Sequence, residues 1–236
     1  MNLVINNLKK NFEKKEVLKD ITFTFEKGKI YGLLGRNGAG KTTLFNALAN
    51  EFEVDGGEMF LIDEMGNKET LSSENIGYVI STPVVPEFLT GREFLRFFIE
   101  INQHKIKNLK TIDEYFDFLN IEVEDRDRIM KDYSHGMKNK MQMLVNIIAN
   151  PEVLLLDEPL TSFDVVVADE MKKMLRKIKK DHILIFSTHI LELATDLCDE
   201  IVILHNGVLE SVQNEDLNSA EFKEKIIDIL KDENHD

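Results

Sequence analysis

The pattern of apolar positions predicts buried strands that alternate with helices. Four short runs, at residues 30–34, 153–156, 183–186 and 201–204, are almost entirely apolar. Between them, apolar side chains recur at helical spacing, at Met141, Leu144, Val145 and Ile148 and again at Met171, Leu175 and Ile178. Strands that are buried on both faces and joined by helices are typical of a parallel sheet covered on both sides. The sequence therefore predicts an α/β fold with a mainly parallel sheet.

The segments before this core predict a second, smaller sheet. Strand-like runs at residues 3–5 and 21–25 are separated by polar turns, which indicates an N-terminal antiparallel sheet. Further short strands are expected at residues 58–62 and 76–80.

A helical region is expected to interrupt the alternation after residue 81. Thr90 and Glu93 match a helix capping box, and more helical spacing follows at residues 113–119. The charged run at residues 122–128 is expected to be a solvated face or a loop. An amphipathic helix is also expected near the end of the chain, where the apolar residues are Phe222, Ile226, Ile227, Ile229 and Leu230.

A phosphate-binding loop follows the first buried strand. The pattern GxxxxGK(S/T) is filled by Gly35, Arg36, Asn37, Gly38, Ala39, Gly40, Lys41 and Thr42, and Thr43 continues into a predicted helix. Backbone N–H groups of such a loop and the positive end of the helix dipole bind phosphate oxygens. Lys41 would hold the β- and γ-phosphates of a nucleotide, and the Thr42 hydroxyl would ligate Mg²⁺.

Two carboxylates follow a later apolar run. Asp157 and Glu158 come directly after residues 153–156, at the carboxyl edge where an open α/β sheet binds its ligand. Asp157 would hold Mg²⁺, and Glu158 would polarise the water that attacks the γ-phosphate. The sequence thus predicts an enzyme that binds a nucleotide and hydrolyses its γ-phosphate.

Composition narrows the possible partners and the cellular location. The 236 residues include 29 Lys and Arg against 43 Asp and Glu, a formal net charge of −14, which disfavours nucleic acid as a partner. One cysteine, Cys198, fits a reducing compartment. Because we find neither a signal sequence nor a long apolar span, we expect a cytoplasmic protein that reaches a membrane only through a partner.

The order of these motifs resembles the nucleotide-binding subunit of ATP-binding cassette (ABC) transporters over nearly the whole chain. The family's LSGGQ signature corresponds to residues 133–137, Tyr-Ser-His-Gly-Met, and its EPTxxLD stretch to residues 158–164. The resemblance implies one domain, residues 1–236, with a P-loop NTPase core. Its implied parts are a RecA-like core with the antiparallel β-subdomain at 1–81 and 151–213, a helical lobe at 82–150 and an acidic C-terminal helix at 214–236.

The resemblance also implies roles for five further residues. Phe12 would stack on adenine, and His189 would contact the γ-phosphate or position the water. Ser134 and Gly136 open a predicted helix, so their donors face an anion; in the family that anion is the γ-phosphate held by a second subunit. Two ATP molecules would then be sandwiched between two cassettes, most simply two identical chains, with Asp164 reaching across the dimer.

Two departures from the family pattern bear on metal binding and transport direction. Ser81 replaces the glutamine expected after the strand at 76–80, so its part in Mg²⁺ binding is open. The signature's YSxGM form resembles members that export drugs, antimicrobial peptides or lipids. The implied partner is a separate membrane permease, which the protein would meet at the cytoplasmic face of the membrane. The candidate contacts are Val84, Val85, Phe88 and Leu89, and the alternative is that these residues pack in the core.

Three alternatives remain open from sequence. They are an ABC importer ATPase, a soluble ABC ATPase that acts on ribosomes or DNA, and a nucleotide-binding regulator without hydrolysis. The single acidic cassette disfavours the second, and intact Lys41, Asp157 and Glu158 disfavour the third.

Overall fold

The computed structural model describes residues 1–13, 15–104, 106, 109–160, 163–212 and 219–231. In these residues ten β-strands form two sheets: β1 Asn2–Phe12, β2 Lys15–Glu26, β3 Ile30–Leu34, β4 Gly56–Ile62, β5 Lys68–Thr70, β6 Ile76–Val79, β7 Val153–Asp157, β8 Ile183–Thr188, β9 Glu200–His205 and β10 Val208–Val212. The α-helices are α1 Lys41–Leu48, α2 Gly91–Asn102, α3 Ile112–Phe118, α4 His135–Ala149, α5 Val165–Ile178, α6 Leu191–Leu197 and α7 Ala220–Lys231. Short 3₁₀ turns lie at Val123–Asp125, Met130–Asp132 and Lys179–Asp181.

The larger sheet has six strands in the order β10-β9-β3-β8-β7-β6. Within this sheet, neighbouring strands from β9 to β6 pair in parallel, and only the β9–β10 pair is antiparallel. The carboxyl ends of β3, β7 and β8 therefore meet at one edge of the sheet. The smaller sheet is antiparallel, with the order β2-β1-β4-β5.

Each face of the parallel sheet packs against its own hydrophobic core. In β7, Val153 and Leu155 belong to a core shared with α1 and the antiparallel sheet, while Leu154 and Leu156 face α4 and α5 on the other side. Side chains of a strand alternate between faces, so a strand covered on both faces must be apolar throughout. This confirms the predicted P-loop fold class, with its parallel sheet and antiparallel N-terminal sheet.

The helical segments agree with the predicted capping signals. Thr90 caps α2 in a reciprocal capping box with Glu93, and α4 begins after the cap residue Ser134. Phe222 and Ile226 of α7 are buried in the core that contains α4 and α5. The predicted boundaries of core, lobe and C-terminal helix stay a prediction, and parts of 214–236 lie outside the described residues. No helix within the described part of the chain is long and apolar enough to cross a membrane.

The charged run at residues 122–128 is a short 3₁₀ turn and a loop with mostly exposed residues, as predicted, and Arg126 is the exception. The Arg126 side chain is only 8% exposed, and it donates hydrogen bonds to Asp113 (3.1 Å), Asp117 (2.5 Å) and the carbonyl of Ile121 (3.0 Å). A buried guanidinium is tolerated because these acceptors satisfy it. Arg126 thus ties the turn at Val123–Asp125 to α3.

Candidate functional site

The phosphate loop connects β3 to α1 through a left-handed turn. Gly40, the N-cap of α1, has φ 103°, a conformation that favours glycine. A Cβ atom at this position would also lie 2.9 Å from Cγ1 of Val17 in β2. The loop can therefore close onto the helix N-terminus only with glycine at position 40.

Lys41 is held inside its own loop. Its Nζ donates to the carbonyl oxygens of Gly35 (2.7 Å) and Arg36 (3.1 Å), and the residue is 7% exposed. Burial lowers the pKa of the Lys41 ammonium, and the nearby charges of Glu158 and Asp157 oppose that shift. The positive group is thus fixed beside the carboxylates at the end of β7.

Asp157 is the last residue of β7 and is fixed by two hydroxyl groups. Thr42 Oγ1 donates to Oδ2 of Asp157 at 3.0 Å, and Ser187 Oγ donates to Oδ1 at 2.5 Å. The second contact follows from sheet register, because Asp157 lies opposite Ser187 in the β7–β8 pair. The phosphate loop and the strand-end carboxylate are thereby joined directly.

Glu158 leaves the strand in a left-handed conformation, with φ 50°. Its backbone N–H donates to Ser187 Oγ at 3.1 Å, and its Oε1 lies 2.8 Å from Nδ1 of His189. Nδ1 is the donor, since carboxylate oxygens accept. Non-glycine residues with positive φ are found preferentially at functional sites. The turn aims the Glu158 carboxylate away from the strand and toward His189.

One cavity of about 310 Å³ brings most of the predicted residues together. Its lining is Val17, Asn37, Gly38, Gly40, Lys41, Thr42, Thr43, Ser81, Asp157 and Glu158. Gly35 and Arg36 do not line it but accept hydrogen bonds from Lys41, and His189 donates to Glu158. Ala39 belongs to the same loop, where its N–H donates to the Arg36 carbonyl.

Four further predicted residues lie on β1, on α4 and at the start of α5, and none of them lines this cavity. Ser134 caps α4 by accepting from Met137 N at 3.2 Å, and Gly136 lies in the first turn of that helix, beside Phe163. Asp164 caps α5. Phe12 ends β1, and the residue is 46% exposed. Within one chain, the signature residues do not complete the phosphate cavity.

Sequence reasoning missed Ser187 as a site residue. It is fully buried and bonds both Asp157 and Glu158. Its signal was available, since a serine at the carboxyl end of an apolar strand in a parallel sheet points to the ligand-binding edge. It was overlooked beside His189.

The oxygen donors in the cavity fit Mg²⁺. Thr42 and Asp157 supply a hydroxyl and a carboxylate, and Mg²⁺ typically takes one or two protein oxygens plus phosphate and water. Among the described residues, no group of three or more His, Cys, Asp or Glu side chains is arranged to hold a metal ion. Mg²⁺ held by Thr42 and Asp157 would take its remaining ligands from water and from the phosphates of a nucleotide.

A phosphate loop that faces carboxylates at the end of a neighbouring strand is the arrangement of a P-loop nucleoside triphosphatase. The ABC transporter family matches residues 18–161, more than half of the chain. The protein belongs to this family of ATP-binding cassettes, which are ATPases, and the resemblance seen in the sequence is confirmed.

Relatives with different transport roles resemble the chain to a similar degree. The sulfate/thiosulfate import ATP-binding protein CysA of Synechocystis sp. is 33% identical over 90% of this chain and 60% of its own length. The chain thus spans less than two thirds of that relative. The bacitracin transport ATP-binding protein BcrA of Enterococcus faecalis is 32% identical over 94% of this chain and 73% of its own. A solved structure of an ATP-binding subunit of an ABC transporter matches with a TM-score of 0.81 at 25% identity, covering 98% of this chain and all of the other.

Proposed function

We propose that this protein binds and hydrolyses ATP with Mg²⁺ and uses the energy to drive a separate membrane permease. The observation that carries the proposal is the single cavity in which Lys41 and Thr42 face Asp157 and Glu158. It joins a positive phosphate-binding end to a carboxylate positioned for general base catalysis.

Each residue of the cavity has a distinct part in the proposed reaction. Backbone N–H groups at residues 35–42 and Lys41 bind the β- and γ-phosphates of the ATP substrate. Mg²⁺, held by Thr42 and Asp157 with Ser81 nearby, would neutralise charge on the phosphates. Glu158 accepts a proton from the attacking water. His189 donates from Nδ1 to Glu158, which keeps the Glu158 carboxylate oriented toward the attacking water.

We infer that a second cassette completes the site. Ser134 and Gly136 open the 15-residue helix α4, whose N-terminus carries a partial positive charge outside the cavity of its own chain. In a head-to-tail dimer, each α4 N-terminus would bind the γ-phosphate held by the other chain's Lys41. ATP would favour the closed dimer, hydrolysis would reopen it, and this differential affinity could move a permease.

Two exposed apolar side chains after Ser81 support a permease contact. Val84 is 71% exposed and Phe88 is 81% exposed, whereas Val85 is buried and Leu89 packs against the core. Exposed large apolar residues close together mark interaction surfaces. The proposed contact therefore narrows to Val84 and Phe88, and it would hold the protein at the cytoplasmic face of the membrane.

The direction of transport is proposed to be export, of a drug, an antimicrobial peptide or a lipid. The YSxGM signature and the similarity to a bacitracin transport ATP-binding protein support this choice. The similarity to a sulfate/thiosulfate import protein supports the importer alternative.

The substitution Glu158→Gln tests the catalytic proposal. We expect kcat to fall at least about 100-fold, because the proton acceptor is lost, while ATP binding is retained. Phosphate release and radiolabelled ATP binding measure the two effects. Glu192→Gln, the same change at an exposed site in α6, should leave both unchanged. Undiminished turnover in Glu158→Gln would remove Glu158 from the mechanism.

Purification from membranes tests the permease. A multi-span protein should co-elute with the wild-type chain, and Phe88→Glu should reduce the amount recovered while leaving ATP hydrolysis by the isolated protein intact. Co-elution with ribosomes or DNA instead would favour the soluble alternative.

A further inference from the structure

Beside the phosphate cavity, two aromatic rings and a lysine form a cluster: Lys10 and Phe12 lie in β1, and Phe52 lies in the segment between α1 and β4. We call Lys10, Phe12 and Phe52 the aromatic clamp. The inference below rests on the proposed function, in which ATP occupies the cavity and its base extends toward Phe12.

The position of Val17 brings the clamp next to the cavity. Val17 lines the cavity and contacts Gly40 of the phosphate loop. It lies two positions after Lys15, which pairs with Phe12 across the hairpin. At about 3.3 Å per residue, the Phe12 end of the hairpin lies roughly 7 Å from Val17 along the strand, a separation that one ribose can bridge.

The Phe12 ring lies at the end of β1. It meets the Phe52 ring edge to face, with centroids 5.7 Å apart and planes at 84°. Lys10 Nζ lies 5.3 Å from the centroid of Phe12 and 4.7 Å from that of Phe52. Aromatic pairs and cation–π contacts of this geometry stabilise a fixed ring orientation.

Lys10 is in turn fixed by the segment that follows α1. Its Nζ donates to the carbonyl of Glu53 at 2.6 Å and lies 3.9 Å from Asp55. Asp55 also accepts a hydrogen bond from Asn11 N at 2.5 Å, so two neighbouring residues of β1 are bonded to this segment. Because α1 starts at the phosphate loop, the clamp couples the end of β1 to the helix that binds phosphate.

We propose that Phe52 and Lys10 are positioning residues that hold the Phe12 ring ready to stack on the adenine of bound ATP. Without them the half-exposed ring would have to be ordered at each binding event. Ordering a side chain on binding costs affinity, and prior ordering avoids that cost.

The test compares ATP with inorganic tripolyphosphate, which lacks a base. Phe52→Ala and Lys10→Ala should each raise the Kd and KM for ATP about 2- to 10-fold, the range expected from one aromatic or cation–π contact. Both variants should keep kcat at saturating ATP and should bind tripolyphosphate like the wild type. A variant that is merely misfolded would lose kcat and tripolyphosphate binding as well.

Three further variants sharpen the comparison. Lys10→Arg keeps a cation over the rings and should restore ATP affinity, and Phe52→Leu keeps apolar volume but not the ring, so it should behave like Phe52→Ala. Lys68→Ala is the matched control, because Lys68 Nζ lies 3.7 Å from the centroid of the Phe60 ring in the same sheet. Removing the Lys68 ammonium should leave ATP affinity unchanged.

Different results would overturn the role of the aromatic clamp and the proposed function. If Phe12→Ala weakens ATP binding but Phe52→Ala and Lys10→Ala do not, the clamp is overturned and the adenine site stands. If Lys41→Ala leaves binding of ATP and tripolyphosphate intact, the proposed phosphate site itself is overturned.

Discussion

Ser187 has one hydroxyl group and two neighbours in the candidate site. The hydroxyl donates to the Asp157 carboxylate and accepts from the backbone N–H of Glu158. It therefore fixes both the side chain proposed to hold Mg²⁺ and the turn that aims the proposed base. Since the residue is fully buried, no solvent can replace it without rearrangement.

The change Ser187→Ala should lower both stability and activity. It leaves Asp157 Oδ1 and the Glu158 N–H without this partner, which should reduce the free energy of unfolding by about 1–3 kcal/mol. Urea denaturation measures this effect, and kcat should fall because Glu158 is less well oriented. Ser211→Ala removes an exposed hydrogen bond to Glu200 and should change stability by no more than about 0.5 kcal/mol. Equal effects of the two changes would contradict this role for Ser187.

Sequence places residues together reliably where a motif fixes their neighbours. Lys41 and Asp157 line one cavity because their motifs fix strand, loop and helix next to one another, and their roles stay a prediction. Arg126 was misjudged because its acidic partners, Asp113 and Asp117, lie outside the charged run and reach it only through the packing of α3. Local charge patterning carries no information about such a contact.

At the scale of elements, His182 joins the start of β8 to the end of α4. It is 3% exposed, and its Nδ1 lies 2.6 Å from the carbonyl oxygen of Pro151, to which it donates. Burial lowers the pKa of His182, and the weaker effect of the Pro151 hydrogen bond opposes that shift. The folded protein therefore keeps this histidine neutral at pH values where an unfolded chain protonates it.

Acidification should therefore destabilise the fold through His182. With a lowered folded pKa and an unfolded value of about 6.5, the unfolded state binds more protons once pH falls below about 6.5. The free energy of unfolding at pH 5.5 should be smaller than at pH 7.5, and in His182→Gln this difference should shrink. His104→Gln, at an exposed site after α2, should keep the wild-type difference. An unchanged difference in His182→Gln would exclude this source.

The strands of the core were predictable, whereas some pairings at the edges were not. Near-continuous apolar runs mark β3, β7, β8 and β9 because both faces are covered. β5 is exposed along its whole length and has no such pattern. β10 had a usable signal that was overlooked, because Asn206 and Gly207 form the two-residue turn typical of a hairpin with β9.

For the whole molecule, the proposed site is divided between two surfaces of one chain. The cavity with Lys41 lies at the strand ends, whereas Ser134 caps α4 outside it. A two-fold dimer brings the same two surfaces of each chain together in pairs. Two composite sites would then form, each with Lys41 from one chain and Ser134 from the other.

Mixing two inactive variants tests this division directly. Lys41→Ala removes the phosphate-binding charge, and Ser134→Asp keeps a good helix cap but places a carboxylate against the γ-phosphate. Each variant alone should be inactive, because both of its composite sites carry the lesion. A mixed dimer regains one intact site, from Lys41 of one chain and Ser134 of the other, so mixing should restore ATP hydrolysis.

The matched control mixes Lys41→Ala with Glu158→Gln. These lesions lie on the same side of the composite site, so every site in the mixed dimer retains one of them and no activity should return. Phosphate release measures both mixtures at equal total protein. If both mixtures stay inactive although the subunits exchange, Ser134 does not act on the nucleotide of its neighbour. If the control mixture also recovers activity, the assignment of Lys41 and Glu158 to one cavity is wrong.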